Sequence, residues 1–303
     1  MELRDLSLLR ELDERGSLTA VARALSVTPS AVSQRLRALE RSLGLALTEP
    51  QGRGVRLTEP GRLLASGAVE VAAVVASVEA RLAAFQGGIG GRIEIAALPS
   101  AGVVLLPALL EALDDEVEVR LHDHDVAEAD YAALARDHDL VIGHRMSAAP
   151  LRQWQRLRVV DLLREPLDIA LPAAHPLAQR DRIAPGDIAG ERWIGVPEGY
   201  PFDDLRVAIE AAAGEPFRVV QRVRDNRLVE ALVEAGRGIG ILPRLSTRPS
   251  AAMRLLPLAG VPTGRVISAL ARPEVAERAV VRHVLEALHG CAAVIAPEPP
   301  RRV

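Results

Sequence analysis

The run Ser17-Leu18-Thr19-Ala20-Val21-Ala22-Arg23-Ala24-Leu25 is followed by Ser26-Val27 and then by Thr28-Pro29-Ser30-Ala31-Val32-Ser33-Gln34-Arg35-Leu36-Arg37. The first run is alanine-rich and has Ser17 or Thr19 at its start, as a short helix requires. Thr28 is placed to cap a second helix over residues 30–43, and Pro29 fits the first helical position because that amide has no intrahelical partner. The pair reads as helix, tight turn, helix. At 100° per residue, Val32, Leu36, Leu39 and Leu43 fall on one arc that faces a core. The opposite arc carries Ser30, Ser33, Gln34, Arg37 and Arg41, side chains that read base edges in a major groove and grip phosphates.

Outward from this pair, Leu3, Leu6, Leu9 and Leu12 mark an earlier helix that stops at Gly16. On the other side, residues 45–48 and 55–58 read as two short strands around Gln51-Gly52-Arg53-Gly54, a hairpin wing with Arg53 at its tip. Residues 15–62 carry eight arginines against three acids, a local charge of +5 in a chain whose total is −3. The rest is therefore acidic, the asymmetry expected of a nucleic-acid-binding module joined to an acidic partner domain.

Leu64, Ala68, Val71, Val75, Val78, Leu82 and Phe85 then repeat every 3.5 residues, a seam that calls for a partner helix and hence a dimer, the alternative being a stripe that packs on its own domain. The repeat ends at Gly87-Gly88-Ile89-Gly90-Gly91, a flexible hinge. With 303 residues, 49% of them apolar, the chain has material for two or three cores. Its one cysteine, Cys291, excludes an intramolecular disulfide and a cysteine zinc site, which suits a reducing cytoplasm. The longest apolar run, residues 96–110, is cut by Pro99 and Pro107, so neither secretion nor membrane spanning is expected.

Beyond residue 91, strands and helices alternate, with strands expected at 92–98, 117–121, 140–143, 167–171, 193–196, 217–223, 239–242 and 266–271, and helices at 103–113 and 128–136. This pattern argues for crossover units on a parallel sheet. Ligands bind such sheets outside the carboxyl ends of strands, here Pro99-Ser100, His124-Asp125, His144-Arg145, Glu198-Gly199-Tyr200, Asp225-Asn226 and Pro243-Arg244. Ser100 and Ala101 begin one helix and Asn226 another, so either hydroxyl, amide and free backbone donors converge there on a ligand, or Ser100 and Asn226 only cap their helices. Arg145 reads as a surface ion-pair residue before it reads as a clamp for a carboxylate, and Tyr200 either packs its loop or lines the cleft.

Three features invite enzymatic readings. Gly236-Arg237-Gly238-Ile239-Gly240 follows a helix and leads into a strand, the reverse of a dinucleotide loop, and is better read as a helix end. His122-Asp123-His124-Asp125 could ligate a metal, contact an effector or form a solvated strand end, and the last is favoured because strand alternation puts both histidines on the polar face. The scattered serines and remaining histidines form no nucleophile elbow. No catalysis, cofactor or metal is expected.

The segments 17–25 and 28–36, with Leu39-Glu40 and the wing Arg53-Gly54-Val55-Arg56-Leu57-Thr58-Glu59-Pro60-Gly61, resemble the winged helix-turn-helix of LysR-type transcriptional regulators. Gly91-Arg92-Ile93-Glu94-Ile95, Glu165-Pro166-Leu167, His175-Pro176-Leu177-Ala178 and residues 232–243 are similar to the same family's effector domain. The resemblance implies an α plus α/β chain of three parts. A DNA-binding domain over 1–60 precedes a linker helix and hinge over 61–88, and a two-lobed domain of the type II periplasmic-binding-protein kind occupies 89–303. Lobe I would hold about 89–160 with 268–292 and lobe II about 161–267, with crossings near 159–163 and 264–268.

The DNA contacts it implies are Thr28, Pro29, Ser30, Ser33, Gln34, Arg37, Arg41 and Arg53. Ser100 matches the family's hydroxyl at the start of the first lobe's helix, a usual effector contact, and joins Ala101, Arg145, Tyr200 and Asn226, read above from strand ends and helix starts, as the candidate effector-binding residues. Thr48 and Pro50 stand where the family usually has an aromatic residue and an arginine, and Val126 where it has a second hydroxyl. The partners implied are promoter DNA, a small effector, a second copy in a dimer or dimer of dimers, and RNA polymerase as an open candidate; no membrane is implied. An enzyme or solute-binding protein with an accessory helical domain is the alternative.

Overall fold

The computed structural model describes residues 1–52, 54–85 and 90–296, apart from the side chains of 83–85. Arg53, the Phe85 side chain, hinge residues 87–89 and the terminal tail lie outside that description. The chain divides into two compact units, Met1–Ile89 with Arg272–Ala279, and Gly90–Ala271 with Val280–Val303.

The first unit opens with α1 (Leu3–Arg15), closed by Gly16 in the left-handed region at φ 63, then α2 (Leu18–Ala24) and α3 (Pro29–Leu43). Thr28 caps α3 as its position predicts, its hydroxyl accepting from the Ala31 amide at 3.2 Å. Leu8, Leu9, Leu12, Val21, Val32, Leu36, Leu39 and Leu47 form the core. Leu43, expected to face inward, is exposed, because it sits in the last turn before Gly44 where the arc runs off the core. Arg35 fastens α3 to α1, its Nε donating to Asp5 at 2.7 Å and its Nη2 to Glu2 at 3.0 Å.

The wing is β1 (Thr48–Gln51) paired antiparallel with β2 (Gly54–Leu57). Its first strand starts later than the sequence pattern suggests. The Glu40 carboxylate accepts from the Leu47 amide at 2.9 Å and from the amide and hydroxyl of Thr48, each at 3.1 Å, so these donors are satisfied without a ladder. Thr48 thus fixes the wing base to α3 by hydrogen bonds.

The long helix α4 (Glu59–Phe85) divides the expected seam between two faces. Ala65, Ala68, Ala76 and Ala80 are buried, whereas Val71, Val74, Val75, Val78 and Leu82 are exposed, Val74 by 64%. Small residues on one side let α4 lie close to α1 and to α9 (Pro273–Ala276). Arg10 donates to Glu274 at 2.8 Å within this packing. By length and apolarity alone, residues 59–82 would suffice to cross a bilayer. A search for uninterrupted apolar runs passes over this segment because charged residues punctuate it.

The second unit holds two five-stranded mixed sheets. The first contains β3 (Gly91–Ala97), β4 (Val117–Asp123), β5 (Leu140–Arg145), β6 (Arg158–Glu165) and β12 (Arg265–Ala271), in the order β4-β3-β5-β12-β6. The second contains β7 (Leu167–Pro172), β8 (Arg192–Gly195), β9 (Arg218–Arg222), β10 (Ile239–Pro243) and β11 (Met253–Leu256), in the order β11-β7-β10-β8-β9. Helices α5 (Pro99–Ala112), α7 (Pro201–Ala213), α8 (Asn226–Glu234) and α10 (Ala279–Ile295) accompany them.

Only part of each sheet is parallel. β3, β4 and β5 run parallel, as do β8, β9 and β10, but β12 pairs antiparallel with β5 and β6, and β7 with β10 and β11. The strands β6 and β11 are additions to the pattern read from the sequence. Residues 159–163, read as a crossing, lie inside β6, and the chain changes sheet at Pro166 instead. The return falls between β11 and β12, so residues 265–268 of the second expected crossing are strand. The helix expected over 128–136 shrinks to a 3-10 turn at Glu128–Asp130 and one turn of α6 (Tyr131–Leu134).

The two changes of sheet meet at one buried ion pair. Glu165 ends β6 and Arg265 begins β12; the two are register partners and each is only 1% exposed. Arg265 donates from Nε at 2.8 Å and from Nη2 at 2.6 Å to Glu165 Oε2. The other oxygen of Glu165 accepts from the amides of Leu245 and Ser246 at 2.9 and 3.0 Å, just past β10. Both carboxylate oxygens are thereby satisfied, the condition under which a buried charge is tolerable.

Candidate DNA-reading face and ligand cleft

In the first unit, Ser30, Gln34, Arg37 and Arg41 stand exposed on α3, with Ser33 half-buried between them and Thr28 and Pro29 exposed at its start. The arc inferred from periodicity is therefore one continuous outer face. Gln34 reaches the Ser30 hydroxyl only at 3.5 Å, and Arg37 Nε donates to the Ser33 carbonyl at 3.3 Å. Such long bonds are easily exchanged for contacts to a nucleic acid. In the wing, Arg56 pairs with Glu49 at 2.7 Å on the exposed strands.

In the second unit a cleft of about 650 Å³ opens, within the range of small-molecule sites. Ser100, Tyr200 and Asn226 line it, as their strand-end positions predict, and so does Val126. Ser100 lies in the first turn of α5, whose cap position is Leu98 and carries no side-chain cap. The amides of Ser100 and Ala101 are therefore without intrahelical acceptors, and the helix dipole favours an anion there. Ala101 itself is buried, so only its backbone can serve. The Ser100 hydroxyl accepts from Arg265 Nη2 at 2.8 Å, which leaves its own proton to donate.

Asn226 begins α8, but Asp225 caps it, accepting from the Arg227 amide at 2.9 Å. That helix start already holds a carboxylate and does not mirror the open one at α5. Tyr200 accepts from Arg224 Nη1 at 3.2 Å.

Arg145 does not line the cleft. It is 2% exposed, and its two terminal nitrogens donate to Asp161 at 2.6 and 2.7 Å, to the Ser268 hydroxyl at 2.6 Å and to the Ala148 carbonyl at 3.1 Å, while Nε is buried without a partner among the described residues. Hydrogen bonding to Arg145 holds the Asp161 carboxyl below its ordinary pKa. Successive strand residues point to opposite faces, so His144 and Arg145 cannot both reach one cleft. It is His144 that lines it. This imidazole is 5% exposed and packs edge-on against Tyr131 and Phe202, with centroids at 5.9 and 6.1 Å. Burial, and then the Arg265 charge, keep its pKa well below the usual histidine value, so the ring is neutral. Its Nδ1 is buried without a partner among the described residues.

The remaining candidate chemistry is structural. His122 hydrogen-bonds Glu94 at 2.6 Å; this bond, and then Arg92, pull the Glu94 carboxyl down to about 2. His138 stands edge-on to both His122 and His124. No group of three residues suited to a metal occurs among the described ones. Gly236 ends α8 at φ 66, and a Cβ at Gly238 would lie 2.5 Å from the Arg192 carbonyl, so these glycines serve a turn and a close approach.

Residues 3–62 match the family described as "Bacterial regulatory helix-turn-helix protein, lysR family", and residues 86–292 match "LysR substrate binding domain". A "Hydrogen peroxide-inducible genes activator" of Pectobacterium carotovorum subsp. carotovorum is 30% identical over 254 residues, 81% of each chain. The fold is similar to a full-length OxyR variant from Pseudomonas aeruginosa, with a TM-score of 0.64 at 18% identity over 100% of this chain and 99% of that one. It is also similar to full-length CbnR complexed with its target DNA, with a TM-score of 0.54 at 21% identity, covering 96% and 100%.

The engagement of Arg145 leads to a specific expectation. Arg145→Met should lower the unfolding free energy by about 2–4 kcal/mol, less than for a fully buried pair because Asp161 reaches solvent. Since the folded Asp161 pKa is depressed, this stability is present above the ordinary carboxylate range and is lost as pH falls through the folded value. Urea unfolding at neutral and acid pH should show the gap between wild type and variant narrowing in acid. A variant as stable as wild type at neutral pH would contradict the structural role.

Proposed function

The chain belongs to the LysR family of transcriptional regulators, and on that premise we propose that it reads a pseudo-palindromic promoter site as a dimer or dimer of dimers, under control of a small carboxylate effector. It is a DNA-binding regulator with an effector-binding domain, and not an enzyme. The observation that carries the DNA reading is the continuous exposed face of Ser30, Gln34, Arg37 and Arg41 on a capped helix. A second helix of this motif lies in the major groove with its N-terminal residues at base edges. Arg41 and the wing arginines Arg53 and Arg56 are assigned to phosphates, and Thr28 and Pro29 to the backbone beside the helix start.

The exposed valine face of α4 supports pairing of two chains, which would present two reading heads. The open start of α5, with Ser100, supports a carboxylate effector that changes how those heads are spaced. A cytoplasmic location suits both partners, and RNA polymerase is the further partner a promoter would bring. The name of the Pectobacterium relative couples it to hydrogen peroxide. This chain has a single cysteine, Cys291 on α10, so it cannot form an intramolecular disulfide and cannot sense peroxide by that chemistry.

Binding selection from a random duplex library tests the reading without a known operator. Wild type should enrich paired half-sites whose centres lie about one helical turn, or a multiple of it, apart. Gln34→Ala should relax the preference at one position per half-site by about 1–3 kcal/mol. Unchanged affinity and preference in Gln34→Ala would mean that this face does not read bases.

Assembly has its own test. Val71→Glu combined with Val78→Glu places charges in the paired seam, where desolvation is costly. Sedimentation should then give monomers that no longer bind the selected DNA, and an oligomer indistinguishable from wild type would rule the seam out.

A further inference from the structure

The floor of the cleft holds hydrogen-bonding groups that the fold itself leaves unmatched. His144 and Arg265 lie on adjacent antiparallel strands, β5 and β12, where His144 is opposite Ile267 in register. Arg265 stands two positions from Ile267, so it shares a sheet face with His144 as a diagonal neighbour, about 7–8 Å away at the backbone. Ser100 follows β3, the strand on the other side of β5. Arg265 therefore reaches across β5 to meet the Ser100 hydroxyl at 2.8 Å, and His144 is the last side chain of β5 on the face it crosses. Both also approach the Phe202 ring, His144 at 6.1 Å between centroids and the Arg265 guanidinium at 5.8 Å.

Both residues line the cleft beside the uncapped start of α5, and both keep free hydrogen-bonding capacity there. Arg265 uses Nε and Nη2 on Glu165 and Ser100, and its Nη1 has no partner among the described residues. Neither nitrogen of His144 has a hydrogen-bond partner among the described residues, although the residue is only 5% exposed. An unpaired polar ring in the interior costs stability, so packing alone would favour an apolar residue here. The edge-on contacts to Tyr131 and Phe202 would serve a phenylalanine equally well. Burial, and then the Arg265 charge, keep the imidazole neutral, which leaves it one donor and one acceptor and no repulsion from the guanidinium. Ser246, whose amide donates to Glu165 at 3.0 Å, brings a further unpartnered hydroxyl to the same wall.

We propose that His144 and the open edge of Arg265 form, with Ser100, the seat of the effector's carboxylate. One oxygen accepts from Arg265 Nη1 and the Ser100 hydroxyl, and the other from the ring N–H of His144. This rests on the carboxylate reading above and deepens it, assigning to His144 and Arg265 the clamp for which the sequence offers Arg145. A carboxylate supplies acceptors to all of these donors, whereas the isosteric amide turns an N–H toward one of them and leaves it desolvated and unpaired. His144 is therefore a specificity-determining residue, held in the core at a cost to stability because the ligand needs it.

The test sets small acids against their own amides on the full-length protein, benzoate against benzamide and 4-methylpentanoate against 4-methylpentanamide, each followed by thermal unfolding. At a hundredfold excess over Kd, at least one acid should raise the melting temperature by about 5–10 °C, with its amide giving little shift. Without ligand, His144→Phe should unfold at a urea midpoint equal to or above that of wild type, and it should bind that acid about tenfold more weakly or worse. His144→Gln, which returns an N–H donor to the seat, should recover part of the affinity. An unchanged acid shift in His144→Phe would overturn the seat while leaving the carboxylate reading in place. A lowered midpoint in both His144 variants would assign the ring to the fold and overturn the seat as well. Equal shifts from acid and amide, or no shift from any of the four compounds, would overturn the carboxylate reading and the seat together. The comparison of acid with amide uses wild-type protein, so it stands even if a variant folds poorly.

Discussion

The pairing of Glu165 with Arg265 is the constraint on which the ligand-binding unit depends. The chain leaves the first sheet at Glu165 and re-enters it at Arg265, so the two strand ends that define the change of sheet are joined by the same hydrogen bonds. From this point Glu165 reaches the amides after β10 in the second sheet, and Arg265 reaches Ser100 at the head of α5 in the first. One buried pair thus specifies how strand ends from both sheets converge and what polar groups form the floor of the cleft. Arg265 also lies over the Phe202 ring at 5.8 Å, which brings the start of α7 to the same point. A buried pair is weak evidence for stability as such, but once built it cannot lose one member cheaply.

The DNA-reading unit is built on a different principle. Its position-setting interactions are short-range and polar at the edges of an aliphatic core. Thr28 caps α3, Arg35 fastens it to α1, and Glu40 fastens it to the wing base. None of these residues draws on the outer arc of α3, so Ser30, Gln34, Arg37 and Arg41 are left free of structural duty. That separation of tasks is what allows a reading face to be specific without weakening the fold that presents it.

Legibility from the sequence follows the physics of each element. Periodicity and caps identify α1, α2 and α3 with near-residue boundaries, because helix ends are signalled by local residues such as Gly16, Thr28 and Pro29. The strands β6 and β11 escape such a reading because antiparallel partners are chosen by distant pairing, which leaves no local mark. On β5 the strand end is legible but the side chain that faces the cleft is not. Arg145 has the chemistry of a carboxylate clamp, yet alternation gives the cleft either Arg145 or His144, and only tertiary packing decides which. Asn226 and Asp225 illustrate the same limit, since either residue type caps a helix and the structure selects Asp225. Glu165 and Arg265 lie one hundred positions apart, and no local pattern links them.

A double-mutant cycle on Glu165 and Arg265 tests the central claim most directly. The two tryptophans, Trp154 and Trp193, are both buried in the ligand-binding unit, so their fluorescence follows its unfolding in urea. If the pair organises the cleft floor, Glu165→Gln or Arg265→Met alone should cost about 3–5 kcal/mol, and adding the second change should cost little more. Losses that simply add, each small, would contradict the account.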